Sequence, residues 1–334
     1  MTAVAIHRVR RWGALALALC FTLLIVGTVP AAPKAKLPRI GILAFDETNC
    51  RVEPFIEGLR ELGYIEGKNI TTECRHAGGS YAGFQPAADS LALSKPAIIV
   101  AFGTSLVKAA QCATKDIPVI MFASGEPVES GFAASFSRPG GNLTGLTYYV
   151  IELNAKRLEL LKAVVPGLQR TSVLFDPEAP PELTRMFLRD IRAAAKTLGI
   201  ELVEVKASRS ADYERAFGEI EKANAQAVLI LPYFAFMRDA QELADIAKWS
   251  GLPSIHVVTR YSALGGLMSY GPDYGQLQRR LAVYVDKILK GASPSGLPIE
   301  QPTRFEFAIN LSTARDLGLK IPEAVLLRAD KVIE

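Results

Sequence analysis

The sequence predicts an α/β protein of two lobes, each a doubly wound parallel sheet covered by helices, with hinge segments crossing between the lobes. From Arg39 onward, short apolar runs alternate with amphipathic stretches, which is typical of β-α-β units. About 300 residues follow the N-terminal segment, which is near the length at which one hydrophobic core divides into two. A Gly-, Ser- and Pro-rich passage over residues 124–142 separates two such series and indicates a crossover between lobes.

The first series predicts the first lobe. Strands are expected at residues 40–45, 69–74, 97–101 and 118–122, with a further apolar segment at 143–148. Between them, helices are expected at residues 52–62, 81–94 and 104–114, because apolar residues there recur every three or four positions.

The second series predicts a lobe of the same class. Strands are expected at residues 171–175, 201–205, 227–231 and 253–256, and helices at 152–165, 182–198, 212–223 and 235–250. A segment at 266–270, a long helix at 273–290, an extended stretch at 303–308 and short helices complete the chain. These last pieces have no core of their own, so we expect them to pack back across both lobes. We assign residues 37–145 with 272–295 to the first lobe, and 146–271 with 296–334 to the second.

Residues 1–32 have the pattern of an export signal. Arg8, Arg10 and Arg11 precede an uncharged, mostly apolar run over residues 12–29, and small residues with proline follow. We expect cleavage after Ala31 and a periplasmic protein, with lipid attachment at Cys20 as the less favoured alternative. The adjacent arginines leave general and twin-arginine export equally open.

The charge pattern favours a small ligand over a large polyanion. The three signal arginines account for three of the four net positive charges, so the exported part is close to neutral. No basic stripe with interleaved aromatic residues indicates nucleic acid binding, and no Lys/Arg cluster indicates a membrane surface. We expect a monomer that binds a small molecule.

Three cysteines follow the signal. Cys50 comes after the first strand and Cys74 ends the second, which places both near one edge of a parallel sheet. A disulfide between them is plausible in an exported protein, although the sequence leaves open whether it forms. Cys112 lies in an apolar helical pattern and is expected to be a buried thiol. The cysteines have neither metal-site spacing nor a C-x-x-C motif, so no metal is expected.

The sequence offers no catalytic set. Only His76 and His256 follow the signal, and they lie in different lobes. G-x-S-x-G is absent, residues 63–69 fail the P-loop spacing, and no G-x-G-x-x-G follows the first strand. We therefore expect no cofactor and no enzymatic activity.

Polar and aromatic residues stand at the carboxyl ends of the predicted strands, where open α/β sheets bind ligands. Thr104 or Ser105 is placed to cap the following helix, whose N-terminus suits a carboxylate. Asp176 or Glu126 could hold an ammonium group, and Phe45, Tyr233 or Tyr270 could form apolar walls. The candidate ligand-binding residues are Phe45, Asp46, Thr104, Ser105, Ser124, Glu126, Asp176, Tyr233 and Tyr270.

Several phrases resemble one protein family over essentially the whole exported chain. They are FIEGLRELGYIEGKNI (residues 55–70), SRPGGNLTG (137–145), KRLELL (156–161), GLMSYGP (266–272) and QPTRFEFAIN (301–310). They are similar to bacterial ABC-transporter substrate-binding proteins, which include tryptophan-binding members.

The resemblance implies a type I periplasmic-binding-protein fold that closes on a small, amino acid-like and possibly aromatic ligand, and presents it to an inner-membrane ABC permease. Two alternatives stay open at this point. One is an exported sensing module that signals to a membrane receptor. The other, which is disfavoured, is an exported α/β hydrolase that uses carboxylates such as Asp46, Glu126 and Asp176.

Overall fold

The computed structural model describes residues 37–148 and 153–334. Residues 37–334 form one compact unit. The predicted signal, its cleavage after Ala31, Cys20 and the expected helix start at residue 152 lie outside the described residues. Within the described residues, no helix is both long enough and apolar enough to cross a bilayer.

The first lobe is built on a five-stranded parallel sheet with the order β2-β1-β3-β4-β5. Its strands are β1 (Arg39–Ala44), β2 (Thr71–His76), β3 (Ile98–Phe102), β4 (Val119–Ala123) and β5 (Leu143–Thr147). β3, β4 and β5 are buried throughout, as expected for strands covered on both faces.

Alternating side chains of this sheet enter two cores. Ile40 and Ile42 pack in the core that contains Phe55 of α1 (Glu53–Glu61). Leu43 packs in the other core, with residues of α2 (Phe84–Leu93) and α3 (Thr104–Ala113). The period-two pattern of β1 therefore places α1 on one face of the sheet and the α2–α3 pair on the other.

The second lobe is built on a seven-stranded sheet with the order β12-β11-β10-β9-β8-β6-β7. Its strands are β6 (Arg170–Phe175), β7 (Glu201–Lys206), β8 (Val228–Ile230), β9 (Ser254–His256), β10 (Met268–Pro272), β11 (Phe305–Asn310) and β12 (Lys331–Ile333). All pairings are parallel except that of β10 with β11.

After α3, the chain continues with helices that alternate with these strands. In order they are α4 (Leu153–Val164), α5 (Pro181–Leu198), α6 (Ser210–Lys222), α7 (Phe234–Arg238), α8 (Ala240–Trp249), α9 (Thr259–Ala263), α10 (Tyr274–Leu289), α11 (Leu311–Asp316) and α12 (Glu323–Leu326).

The C-terminal part of the chain touches both lobes. After β10, α10 packs against α1 in the first lobe. Glu300 then pairs with the edge of β5, where Thr147 donates its N–H to the Glu300 carbonyl at 3.0 Å. The chain next enters the second sheet as β11. It therefore passes between the lobes after β5, after β10 and after Glu300, which is the connectivity of a hinge.

The structure differs from the sequence predictions in three elements of the second lobe, one of which is the short helix α9, which was not predicted. The helix predicted over residues 235–250 is two helices, because Asp239 (φ −91°, ψ 22°) leaves the helical conformation between α7 and α8. The Asp239 carboxylate accepts a hydrogen bond from Tyr213 Oη at 2.8 Å, which holds the break in place. The edge strand β12 was not predicted.

Of the three cysteines in the described residues, two form a disulfide and one is free. Cys50, in a short 3-10 helix after β1, is joined to Cys74 of β2 by a disulfide. The prediction that Cys112 is buried was wrong, because its side chain is exposed on α3.

Candidate ligand-binding site

A cleft of about 850 Å³ lies between the two lobes. The first lobe supplies residues 81–85 at the start of α2, one face of α3 from Thr104 to Cys112, and the loop at residues 129–132. The second lobe supplies one face of α5, from its N-cap Pro180 to Arg192. The cleft is therefore complete only when the lobes lie together.

Apolar side chains from both lobes line part of the cleft. Phe84 and Phe132 come from the first lobe, while Leu183 and Met186 come from α5. Phe84 packs edge-on against Tyr81 with ring centroids 5.4 Å apart. This part of the cleft is suited to a flat apolar group.

The N-terminus of α3 forms the polar part of the first-lobe wall. Its first intrahelical bond runs from Val107 N–H to the Gly103 carbonyl, so the N–H groups of Thr104, Ser105 and Leu106 have no partner within the helix. Gly103 is the N-cap residue and has no side chain to satisfy them. The prediction that Thr104 or Ser105 caps the helix was wrong: no side chain caps α3, and the Thr104 hydroxyl is instead 2.9 Å from the Ser124 hydroxyl.

Two ion pairs cross the mouth of the cleft. Lys108 of α3 lies 3.1 Å from Glu182 of α5, and Arg189 of α5 lies 3.3 Å from Glu129. The pKa of Glu182 is lowered, first by its own backbone N–H at the helix start and then by Lys108. All four side chains are well exposed, so each pair contributes no more than about 1 kcal/mol.

Below the cleft, aromatic rings join the lobes. Phe234 of the second lobe stacks on Phe45 of the first, with centroids 4.7 Å apart and ring planes 6° from parallel. Phe45 also contacts Tyr81 and Phe84. A Cβ atom on Gly103 (φ 110°) would overlap the Phe234 ring, so only glycine lets the ring approach α3 this closely.

A partly buried hydrogen bond also joins the lobes. Tyr81 donates its hydroxyl to Asp176 at 3.0 Å, and Asp176 accepts two further hydrogen bonds, from the Ser208 hydroxyl at 2.7 Å and the Glu178 N–H at 2.9 Å. Burial, followed by the Asp176 charge, raises the pKa of Tyr81 well above its usual range. Tyr81 therefore remains a hydrogen-bond donor at neutral pH.

Of the nine predicted site residues, the structure places Thr104 and Ser105 in the wall of the cleft. Ser124 lies behind them and is bonded to Thr104. Phe45 and Asp176 lie one layer below, in contact with the lining residue Tyr81.

The other four predicted residues make contacts outside the lining. Glu126 accepts a hydrogen bond from the Glu129 N–H, and Asp46 caps the 3-10 helix and lies 3.9 Å from Arg238. Tyr233 is buried with its hydroxyl 3.0 Å from that of Thr184. Tyr270 of β10 packs against Phe305 of β11, towards the β12 end of the second sheet. It does not line the cleft.

Sequence reasoning missed the contribution of α5. Because only strand ends were considered, Glu182, Leu183, Arg185, Met186 and Arg189 were overlooked. The sequence did contain a signal for this helix face. These polar and apolar residues lie three or four positions apart along a helix that begins just after a strand end, which places them on one face.

The described residues contain no group of three or more His, Cys, Asp or Glu side chains placed to hold a metal ion. Of the two histidines within residues 37–148 and 153–334, His76 is exposed and His256 is fully buried. Neither lines the cleft.

Comparison with known proteins identifies the family. The family of ABC transporter substrate binding proteins matches residues 40–333. The tyrosine-binding protein of Clostridioides difficile (strain R20291) is 27% identical over 267 residues, which cover 80% of this chain and 76% of that protein.

Solved structures show the same fold. A conserved domain protein from Vibrio cholerae superposes with a TM-score of 0.80 at 28% identity, covering 89% of this chain and 100% of that one. An ABC domain in complex with L-Trp from Streptococcus pneumonia gives a TM-score of 0.78 at 22% identity, covering 89% and 100% of the two chains. A ligand-free, open substrate binding protein with adhesive properties from Clostridium difficile gives 0.63 at 23% identity, covering 89% and 99%.

These matches confirm the type I periplasmic-binding-protein fold and the family that the sequence phrases indicated. Proteins of this family bind a small molecule outside the cytoplasm and work with a membrane permease. The chain belongs to the ABC transporter substrate-binding protein family.

Proposed function

We propose that this protein binds an aromatic, amino acid-like ligand in the cleft between its lobes and delivers it to an ABC importer. The observation that carries the proposal is the composition of the cleft, in which the apolar group Phe84, Phe132, Leu183 and Met186 adjoins the open N-terminus of α3. A ring fits the first part and a carboxylate fits the second. The tyrosine-binding relative and the L-Trp complex support the same ligand class.

Hinge closure is the mechanism that we propose for capture. The Tyr81–Asp176 hydrogen bond and the Phe45–Phe234 stack form only when the lobes meet. A ligand that touches α3 and α5 together adds contacts in that state only, so it shifts the population from open to closed. The three passages of the chain between the lobes supply the hinge.

We further propose that the protein acts as a monomer without enzymatic activity, and that residues 1–32 direct its export. In support, the acids Asp176, Glu129 and Glu182 at the cleft are already engaged in hydrogen bonds or ion pairs. None of them is paired with a nucleophile and base as hydrolysis requires.

The test is calorimetric titration of the exported chain with L-tyrosine, L-tryptophan and L-phenylalanine, combined with small-angle X-ray scattering. We expect saturable binding of at least one of them with a decrease in radius of gyration. Binding without compaction would overturn the hinge mechanism, and the absence of binding by all three would overturn the ligand class.

A matched pair of variants locates the site. Ser105→Trp fills the cleft from the first turn of α3 and should weaken binding at least ten-fold. Ala193→Trp adds the same ring on an exposed part of α5 outside the cleft and should leave affinity unchanged. Equal affinities for the two variants would place the ligand elsewhere.

A further inference from the structure

Building on the proposed function, we propose that the cleft selects its ligand by the carboxylate and makes no use of an ammonium group. The ligand class would then extend to aromatic carboxylic acids that lack the amine of an amino acid. The inference follows from which charges at the cleft are already paired and which are open.

The carboxylates that face the cleft are occupied. Glu182 pairs with Lys108 and Glu129 pairs with Arg189, both across the mouth. The neighbouring Glu126 carboxylate accepts a hydrogen bond from the Glu129 N–H and does not line the cleft. An ammonium group would have to share one of these carboxylates with a cation that is already paired to it.

The acids below the cleft lie outside its lining. Asp176 is 1% exposed and accepts hydrogen bonds from Tyr81, Ser208 and the Glu178 N–H. Asp46 accepts from the Thr48 hydroxyl and the Asn49 N–H through Oδ1, while its Oδ2 accepts no hydrogen bond from the described residues and lies 3.9 Å from the Arg238 guanidinium. Neither carboxylate lines the cleft.

Positive charge, by contrast, exceeds negative charge in the lining. Four basic residues and two acidic residues contribute to it. Arg192 is held by both oxygens of Glu204, at 2.6 and 2.8 Å. Arg185 donates to the Pro181 carbonyl at 3.3 Å, and its charge helps to lower the pKa of Glu182, but it forms no direct ion pair with any residue in 37–148 or 153–334.

Neutral donors add to this charge on the opposite wall. The N–H groups of Thr104 and Ser105 begin α3, a helix of ten residues, and are not capped. The hydroxyls of Ser105 and Ser130 also line the cleft, and neither has a hydrogen-bond partner within the described part of the chain. The open groups are thus an Arg guanidinium, helix N–H groups and hydroxyls, which together suit a carboxylate.

The experiment compares three probes that share the phenol ring and the two-carbon chain of tyrosine. They are L-tyrosine, hydroxyphenylpropionate, which lacks the amino group, and tyramine, which lacks the carboxylate. By calorimetry we expect hydroxyphenylpropionate to bind at least as tightly as tyrosine, and tyramine to bind at least a hundred-fold more weakly.

The outcomes separate this inference from the proposed function. If tyrosine binds and hydroxyphenylpropionate binds at least ten-fold more weakly, the ammonium is recognised and the inference is wrong, while the proposed function stands. If neither tyrosine nor hydroxyphenylpropionate binds, and tryptophan, phenylalanine and their amine-free acids also fail, the proposed function fails as well.

A charge-matched pair of variants tests the role of Arg185. Arg185→Met removes the unpaired guanidinium and should weaken carboxylate binding about ten-fold or more. Lys196→Met removes the same charge from an exposed position further along α5, outside the cleft, and should change affinity less than two-fold. Equal effects of the two variants would show that only the overall charge matters and would overturn the assignment.

Discussion

At position 103, both the backbone conformation and the packing require glycine. Its φ of 110° disfavours any side chain, and a Cβ atom would overlap the Phe234 ring. Gly103→Ala should therefore lower the free energy of unfolding by about 1–3 kcal/mol, and should weaken closure of the lobes.

The matched control is Gly125→Ala. Gly125 has no positive φ, and its nearest neighbour to an added Cβ is Ser130 Oγ at 3.2 Å, so a small shift accommodates the methyl group. Urea unfolding of both variants provides the measurement. Similar losses of stability would contradict the special role of Gly103.

His256 makes stability depend on pH. It is fully buried, and burial followed by the nearby Arg157 charge lowers its pKa to about 3. The unfolded residue titrates near pH 6.5, so below that value the unfolded chain binds a proton that the folded chain does not. The free energy of unfolding should then fall by about 1.4 kcal/mol per pH unit between pH 6.5 and pH 3 because of this residue, and should be unaffected by it above pH 6.5.

His256→Gln should remove this dependence. Between pH 7 and pH 5, the wild type should lose about 2 kcal/mol more stability than the variant in urea unfolding. His76→Gln, at an exposed position, should keep the wild-type slope. Parallel slopes for the wild type and His256→Gln would contradict the prediction.

Individual site residues were only partly predictable from the sequence. Thr104 and Ser105 could be found because strand order fixes where the carboxyl ends meet. Arg185 and Met186 could not, because their approach to the first lobe depends on how α5 is presented across the cleft. The exposure of Cys112 likewise depends on which face of α3 packs against α2.

Among the elements, the Cys50–Cys74 disulfide links the 3-10 helix after β1 to β2, across 24 residues of sequence. Cross-linking a loop of this length contributes about 3 kcal/mol, mainly by restricting the unfolded chain. The double variant Cys50→Ser/Cys74→Ser should lose that amount of stability, and dithiothreitol should not reduce it further.

Cys112→Ser is the control for this prediction. Its stability should match the wild type and should still fall when dithiothreitol is added. If the reductant leaves wild-type stability unchanged, the disulfide does not contribute as expected.

The elements were largely predictable, since most apolar runs of this chain become strands within one or two residues of the expected bounds. The exceptions depend on tertiary contacts. The helix break at Asp239 is held by Tyr213 from another helix. The three-residue strand β12 forms only by pairing with the edge of β11.

At the scale of the whole molecule, lobe closure depends on a few side chains. Tyr81→Phe removes the hydrogen bond to Asp176 and should weaken binding of an aromatic carboxylate about five-fold, which corresponds to about 1 kcal/mol. Calorimetry measures the affinity, and small-angle scattering measures the closed fraction.

Tyr213→Phe is the matched control. It also removes a tyrosine–aspartate hydrogen bond, to Asp239 at 2.8 Å, but within the second lobe. It should lower the free energy of unfolding and leave affinity unchanged. A loss of affinity in this variant as large as that of Tyr81→Phe would show that general destabilisation explains both.

The position of Cys112 has a practical consequence. The other two described cysteines are bonded to each other, so this side chain is the one free thiol in residues 37–148 and 153–334, and it stands in the wall of a cleft that changes on closure. A maleimide dye would attach there without any engineered mutation. Its emission would turn the protein into an optical sensor that reports the concentration of its own cargo.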